Sequence, residues 1–224
     1  MKKLSDKMII ECWKENAKPW AGAIQRHEVE SRIDVTNQAI IDAVLSKDPQ
    51  KVLDVGCGEG WLVRKLVENN IDCLGIDAVP ALVDIAKAGK GRYRLIPYEE
   101  LSYSQIGEQF DVLVANFSLL GKESVENIFQ QANGLLRKGA SFIVQTIHPI
   151  ASSKDSEYVD GWREGSWQGF SSDFSNPAPW YFRTLESWKA LFIAAGFEKI
   201  EVIEPLNPKS KTVASLILIG ELRS

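Results

Sequence analysis

Acidic side chains, glycines and apolar runs alternate in a regular order within residues 52–77. Asp54 lies inside the apolar run of residues 52–55, and glycines at alternating positions follow within residues 56–60. Asp77 ends a second apolar run, 21 residues beyond Gly56. In nucleotide-binding α/β folds, an acid about 20 residues past the glycines accepts hydrogen bonds from the ribose hydroxyls. The spacing therefore predicts a site for a cofactor that contains a nucleoside.

A strand, a turn and a helix must position these residues. The apolar run of residues 52–55 predicts a buried parallel strand, and apolar pairs at i, i+4 in residues 61–68 predict a helix. Glycines between them let a ligand approach backbone N–H groups at the start of the helix. Asp77 ends the second predicted strand; its alternative role is a helix N-cap, because Pro80 suits the first turn of the next helix.

The run K-V-L-D-V-G-C-G-E-G, residues 51–60, resembles motif I of the class I S-adenosylmethionine (SAM) methyltransferases, whose consensus is close to V-L-D-x-G-C-G-x-G. A dinucleotide fingerprint has a third glycine where this chain has Trp61, which disfavours a nicotinamide-dependent oxidoreductase. The resemblance covers residues 36–148 by motif and 184–222 by pattern. It implies SAM as cofactor, S-adenosylhomocysteine (SAH) as product, and an α/β Rossmann-like fold. That fold has a seven-stranded, mostly parallel sheet with one antiparallel strand, and helices on both faces.

The resemblance also implies which residues bind SAM: Arg32, Asp54, Gly56, Cys57, Gly58, Asp77, Ala78, Tyr98, Glu99, Asn116 and Phe117. Asp77 is expected to accept the ribose hydroxyls, and Arg32 is expected to meet the methionine carboxylate, the alternative being a solvated surface arginine. In the loop that normally contacts adenine, P-Y-E-E replaces the family's Asp-Ala pair. Tyr98 or Glu99 takes over that contact, or the loop is simply exposed and acidic.

Hydrophobic periodicity and turn residues predict the remaining elements. Helices are expected at residues 36–47, with Thr36 as N-cap, and at 80–88, 122–138 and 184–195. Further strands are expected at residues 92–96, 110–115, 141–147, 199–204 and 212–220, and the last two are joined too closely to be parallel.

The sequence A-N-F-S at residues 115–118 narrows the chemistry by what it lacks. Amino methyltransferases that act on adenine or glutamine carry two prolines here, and this chain has none. It also lacks an acid at this point to help hold magnesium, so no metal is expected.

Aromatic residues crowd one segment of the chain. Eight of the 21 aromatic residues lie between Tyr158 and Phe182, within a long connection, residues 150–183, that leaves the carboxyl end of a predicted strand. α/β folds bind ligands at that edge, so we expect a lid in which Trp162, Trp167, Trp180 and Tyr181 contact the substrate. The alternative is an insertion with a small core of its own.

His148 follows the strand at residues 141–147 and precedes Pro149. The position predicts a general base that takes a proton from an acceptor hydroxyl. The alternative is a histidine that hydrogen-bonds the loop backbone and fixes the strand end.

The composition and net charge limit the binding partners and the cellular compartment that we expect for this chain. The chain has 224 residues, a net charge of −4 and three cysteines without a C-x-x-C pair. This disfavours nucleic acid, a disulfide framework and a zinc site, and no apolar run reaches spanning length. We expect one cytoplasmic domain, residues 1–224, with an N-terminal cap segment at residues 1–35.

The expected function is transfer of a methyl group from SAM to a small molecule with an apolar or planar body, at an oxygen atom. Methyl transfer mainly requires alignment of the acceptor and exclusion of water, which a lid can supply. The aromatic side chains of the expected lid indicate an acceptor with an apolar or planar body. The alternatives are a methyltransferase that acts on RNA or protein, and a SAM-binding protein without catalysis.

Overall fold

A computed structural model of the chain describes residues 3–153 and 157–223. The first two residues of the predicted cap segment and residues 154–156 of the predicted lid lie outside the described residues, as does residue 224.

Helices and short helical turns account for about half of the elements. The α-helices are α1 Asp6–Gln25, α2 Asn37–Leu45, α3 Trp61–Glu68, α4 Pro80–Ala86, α5 Tyr103–Ile106, α6 Glu123–Leu135, α7 Pro149–Ser152 and α8 Leu185–Ala194. A π-helical turn, Arg32–Thr36, precedes α2, and a 3₁₀ turn, Tyr98–Glu100, precedes α5.

The strands form two sheets. They are β1 Lys51–Val55, β2 Asp72–Asp77, β3 Arg92–Leu95, β4 Phe110–Asn116, β5 Leu136–Thr146, β6 Gly161–Arg163, β7 Trp180–Phe182, β8 Phe197–Ile203 and β9 Leu216–Leu222. The main sheet has seven strands in the order β3-β2-β1-β4-β5-β9-β8, and β6 pairs with β7 as a separate antiparallel hairpin. In the main sheet β9 runs antiparallel to both of its neighbours, β5 and β8, and the other pairs of adjacent strands are parallel, which confirms the predicted topology.

Alternate residues of the central strands pack against helices on opposite faces of the sheet. Val52 of β1 belongs to a buried cluster with residues of α2 and α3, such as Val44 and Leu66. Leu53 belongs to a second buried cluster with residues of α6 and α8, such as Phe192. This period of two is what a parallel sheet covered on both faces requires.

Two local predictions are wrong. Thr36 makes no capping hydrogen bond, because it lies inside the π-helical turn that runs directly into α2. The helix predicted to reach residue 138 ends at Leu135, and β5 begins at Leu136. Leu136 continues the helical apolar spacing, but its backbone pairs with Phe110 of β4 instead.

The N-terminal segment is a long helix that crosses the carboxyl edge of the sheet. Ala17 of α1 packs in a buried cluster with Val79 and Leu82, at the start of α4. At its other end Asp6 accepts hydrogen bonds from the backbone N–H groups of Lys122 and Ser124, at 2.9 and 2.7 Å. Within the described residues no helix is long and apolar enough to cross a membrane.

Candidate functional site

A cavity of about 370 Å³ lies beneath α1 at the carboxyl edge of the sheet. Its floor includes the turn between β1 and α3, and its roof includes residues of α1 and of the aromatic segment. The volume lies in the range of small-molecule sites, and ligands of open α/β sheets bind at this edge.

The turn of residues 56–60 has a backbone that favours glycine. Gly56 has φ +80°, and a Cβ there would lie 2.1 Å from the hydroxyl oxygen of Tyr98. The N–H groups of Gly56 and Cys57 donate to the carbonyl of Ile76, at 2.8 and 2.9 Å. These bonds hold the turn against β2, and Gly56, Cys57 and Gly58 all line the cavity.

Asp77 lines the cavity and fixes two pieces of backbone. Its Oδ2 accepts from the N–H of Gly58 and its Oδ1 from the N–H of Val79, both at 2.9 Å. Burial raises the pKa of Asp77, and these two hydrogen bonds oppose the rise. Since each carboxylate oxygen accepts more than one hydrogen bond, capacity for a ligand remains. The bond to Val79 also supports the alternative role of Asp77 at the start of α4.

Asp54 lies below the turn and does not line the cavity. It is 1% exposed, and among the described residues its Oδ1 has no hydrogen-bond partner. Burial, with smaller contributions from the charges of Asp77 and Glu59, raises the pKa of Asp54 to about 8. The structure therefore does not support direct contact between this predicted residue and a ligand.

Arg32 is held in the cavity wall between two indole rings. It is 8% exposed, so the alternative of a solvated surface arginine is wrong. Its guanidinium carbon lies 4.9 Å from the ring centroid of Trp61 and 5.6 Å from that of Trp20. Burial lowers the pKa of Arg32, and the charge of Glu59 opposes this. Its buried Nη2 has no hydrogen-bond partner among the described residues, which leaves a donor for a ligand.

The other predicted cofactor residues line the same cavity: Ala78, Tyr98, Glu99, Asn116 and Phe117. The hydroxyl of Tyr98 donates to the carbonyl of Ser118 at 3.3 Å. Burial raises the pKa of Tyr98, so the phenol remains protonated at neutral pH. Tyr98 is thus a neutral wall of the cavity beside Gly56.

The aromatic segment contributes two rings to the roof, Trp167 and Phe170. The Trp167 ring lies 5.8 Å from that of Trp13 on α1, and the Phe170 ring lies 6.2 Å from that of Trp20. Trp167, Phe170 and Phe174 also contact one another, at 4.7 to 5.5 Å between centroids. The segment thus has a small core of its own and covers the cavity as well.

Three predicted substrate residues lie elsewhere. Trp162 and Trp180 stand on the β6–β7 hairpin and line a separate shallow depression. The ring of Tyr181 lies between Lys122 and Arg183, 4.8 Å from the guanidinium of the latter. None of the three lines the main cavity. Residues before the hairpin accept hydrogen bonds from the start of α8, Tyr158 from the N–H of Leu185 and Asp160 from that of Thr184. Trp167 and Phe170 instead reach α1.

His148 does not line the cavity either, although its neighbour Ile147 does. His148 is 7% exposed, and its Nε2 lies 2.9 Å from Oε1 of Glu204, beyond β8. The geometry favours a structural role over the predicted general base, although the partner is the side chain of Glu204 and not the loop backbone that the alternative named. Among the described residues no cluster of histidine, cysteine and acidic side chains is arranged to hold a metal ion.

Sequence reasoning missed three polar residues that shape the site, Asp6, Asn16 and Gln145. Asp6 lines the cavity at the start of α1. Asn16 is fully buried on the apolar side of α1, in register with Ile9 and Cys12. Gln145 is 1% exposed in the apolar strand β5. For Asn16 and Gln145 the sequence did offer an indication, a polar residue at a position where the pattern places apolar ones. A polar group buried at such a position needs a hydrogen-bond partner.

Comparison with known sequences gives one family and several relatives. A model of the methyltransferase domain family matches residues 26–202. The chain is 25% identical over 193 residues to an uncharacterized methyltransferase of Anoxybacillus flavithermus, covering 84% of this chain and 88% of that protein. It is 31% identical over 106 residues to the ubiquinone biosynthesis O-methyltransferase of Acinetobacter baylyi. That match covers 44% of each chain, so it spans less than half of that enzyme.

Solved structures share the fold at low identity. A SAM-dependent methyltransferase from Clostridium acetobutylicum superposes with a TM-score of 0.66 at 14% identity, covering 92% of this chain and 99% of the other. The 1,6-didemethyltoxoflavin-N1-methyltransferase of Burkholderia thailandensis, solved with 1,6-didemethyltoxoflavin and SAH, superposes with a TM-score of 0.62 at 18% identity. That superposition covers 94% of this chain and 88% of the other.

Proposed function

Because the chain belongs to the class I SAM-dependent methyltransferases, we propose that it methylates a small molecule with an apolar or planar body, at an oxygen atom. The observation that carries this proposal is the roof of the cavity. Ile9, Ile10, Trp13, Trp167 and Phe170 cover the glycine turn with apolar and aromatic surface. Such a surface suits the body of an apolar or aromatic acceptor.

The residues of the cavity fit the cofactor. SAM supplies an activated methyl group on a sulfonium, and it also carries a ribose, an adenine and a methionine carboxylate. We assign the ribose hydroxyls to Asp77, and the adenine to the wall formed by Ala78, Tyr98 and Glu99. The carboxylate is assigned to Arg32, whose buried Nη2 lacks a partner among the described residues. The glycine turn offers backbone N–H groups at the start of α3.

The protein's own contribution to the reaction is alignment and exclusion of water. α1 and residues 167–170 cover the cavity, so an acceptor beneath them is shielded from solvent. Displacement at the methyl carbon of an activated sulfonium depends mainly on alignment. The bond from carbon to sulfur breaks as the bond to the acceptor oxygen forms, and the hydroxyl proton leaves to a carboxylate of the cavity lining or to solvent. We assign the role of a lid to the aromatic segment, with Trp167 and Phe170 as the acceptor contacts.

Two relatives support a small acceptor. The matched enzyme of A. baylyi is an O-methyltransferase of ubiquinone biosynthesis, and the B. thailandensis structure holds a small molecule together with SAH.

The three cysteines are free thiols, which suits action in the reducing cytoplasm.

Transfer of labelled methyl groups tests the proposal. The protein would be incubated with methyl-labelled SAM and with small-molecule, RNA and protein fractions of a cell extract. We expect label in a small molecule that partitions into organic solvent, and much less label with the Asp77→Ala variant at a limiting concentration of SAM. Label in RNA or protein, or no transfer to any fraction, would overturn the proposal.

A further inference from the structure

Gln145 is a buried polar residue that joins two walls of the cavity. It is 1% exposed near the carboxyl end of β5, and its register partner in β4 is Asn116. We propose that Gln145 is a positioning residue for the methionine end of SAM, since it orients the amide of Asn116 and holds the turn that carries Arg32. The inference rests on the proposed placement of the cofactor.

The side-chain amide nitrogen of Gln145 donates two hydrogen bonds, one to Thr36 and one to Asn116, and we call this chain of contacts the relay. Nε2 of Gln145 donates to the backbone carbonyl of Thr36 at 3.1 Å and to Oδ1 of Asn116 at 3.0 Å. A backbone carbonyl only accepts, so Gln145 must present its NH₂ group to Thr36. The second hydrogen of that NH₂ group then requires the oxygen of Asn116. Amide orientation is set by such networks, and here a carbonyl that cannot flip decides it.

Because Oδ1 of Asn116 accepts from Gln145, the NH₂ group of Asn116 is available to donate to a ligand in the cavity, which Asn116 lines. Arg32 and Thr36 line the same cavity from the π-helical turn. Nη2 of Arg32 and the hydroxyl of Thr36 are buried without hydrogen-bond partners among the described residues. Insertions of π-helix into α-helices are frequent at functional sites. Three donors on two walls therefore match a group that only accepts, namely the α-carboxylate of SAM.

The positive charge of Arg32 also favours a carboxylate ligand at this part of the cavity. The one acid that acts on Arg32 electrostatically, Glu59, is itself paired with Arg64 at 3.2 Å. Among the described residues Arg32 has no ion pair within salt-bridge distance. An incoming carboxylate therefore meets a buried guanidinium that is not already neutralised by contact.

The test compares SAM with decarboxylated SAM, which lacks only the α-carboxylate, by calorimetry without any acceptor. The Gln145→Glu variant keeps the size of the side chain but replaces the donor with an acceptor. We expect it to weaken binding of SAM at least about tenfold and binding of decarboxylated SAM less than about threefold. Asn116→Asp keeps the acceptor for Gln145 and removes the donor to the cavity, so it should show the same selective loss.

Gln109→Glu is the matched control. Gln109 Nε2 also donates to backbone carbonyls, those of Gly134 and Leu136, but it precedes β4 at the opposite edge of the sheet. Its variant should leave both affinities unchanged. Equal weakening of both ligands by Gln145→Glu would reduce Gln145 to a structural role, and unchanged SAM affinity in both test variants would overturn the relay. Neither result depends on the acceptor, so the proposed methyl transfer is tested separately.

Discussion

Asn16 of α1 and Ser175 of the aromatic segment are joined by a pair of hydrogen bonds. Nδ2 of Asn16 donates to the carbonyl of Ser175 at 2.8 Å, and the N–H of Ser175 donates to Oδ1 of Asn16 at 2.9 Å. Next to them, the thiol of Cys12 donates to the carbonyl of Asn176. Two segments separated by about 160 positions thus form one roof over the cavity.

Replacing Asn16 by leucine should open that roof. The change removes both hydrogen bonds and leaves the backbone groups of Ser175 unpaired, at a cost of about 1–3 kcal/mol. We expect faster dissociation of SAM in stopped-flow measurements and faster proteolysis within residues 165–176. Asn69→Leu is the control. Both side chains donate to a carbonyl four residues earlier, that of Cys12 for Asn16 and that of Lys65 for Asn69, but Asn69 is exposed just after α3. Unchanged dissociation and proteolysis of the Asn16 variant would contradict the joint roof.

Asp77→Ala should weaken SAM binding at least about tenfold. Charge-assisted hydrogen bonds are worth about 1.5–3 kcal/mol each, and two ribose hydroxyls are assigned to this carboxylate. Calorimetry gives the affinity, and circular dichroism checks that the fold persists, because Asp77 also holds Gly58 and Val79. A folded variant with wild-type affinity, or tighter binding of NADH than of SAM, would refute the assignment.

Local patterns predicted the floor of the site. Strand, glycine turn and helix are adjacent in sequence, and Asp77 ends the neighbouring strand, so spacing alone brings them together. The antiparallel pairing of the last two strands was also predicted correctly, from strands expected at residues 199–204 and 212–220. The connection between β8 and β9, residues 204–215, is longer than predicted because β9 begins only at Leu216.

The roof was not predictable in the same way. Whether Trp162 or Trp167 faces the cavity depends on contacts such as the Asn16–Ser175 pair, which join distant parts of the chain. Gln145 and His148 illustrate the same limit at the end of β5. Both are buried and polar, but their partners lie 109 and 56 positions away, and no local pattern reports them.

Trp167→Ala should raise the acceptor KM more than it weakens SAM binding. Burying an aromatic or large apolar side chain is worth about 1.5–3 kcal/mol, which corresponds to roughly ten- to hundredfold in affinity. Trp162→Ala is the control, because Trp162 belongs to the same segment but stands on the β6–β7 hairpin. Steady-state kinetics with the identified acceptor decide the matter. If the Trp162 variant were the more impaired, the hairpin would be the substrate contact.

His148→Gln should leave kcat within a few-fold of the wild-type value across pH 6–9. The imidazole contacts Glu204 and does not line the cavity, whereas loss of a general base costs about 10²–10⁴ in rate. The same variant should lower the free energy of unfolding by about 1 kcal/mol. Glu204→Gln serves as the matched partner variant and should do likewise. A hundredfold fall in kcat with an altered pH profile would restore the catalytic interpretation.

Asp54 should make the apoprotein less stable as the pH rises from about 4 to 8. An unfolded aspartic acid titrates near 3.9, whereas burial, then the charges of Asp77 and Glu59, raise the pKa of Asp54 to about 8 in the folded protein. Between these values the folded state binds more protons than the unfolded state, so the free energy of unfolding falls with rising pH. One such group contributes a slope of at most about 1.4 kcal/mol per pH unit.

Denaturant titrations of the wild type and of Asp54→Asn at several pH values measure this contribution as the difference between the two profiles. We expect the variant to lose stability less steeply over this range, since asparagine carries no proton to release. Parallel profiles would show that Asp54 is ionised in the folded protein at neutral pH.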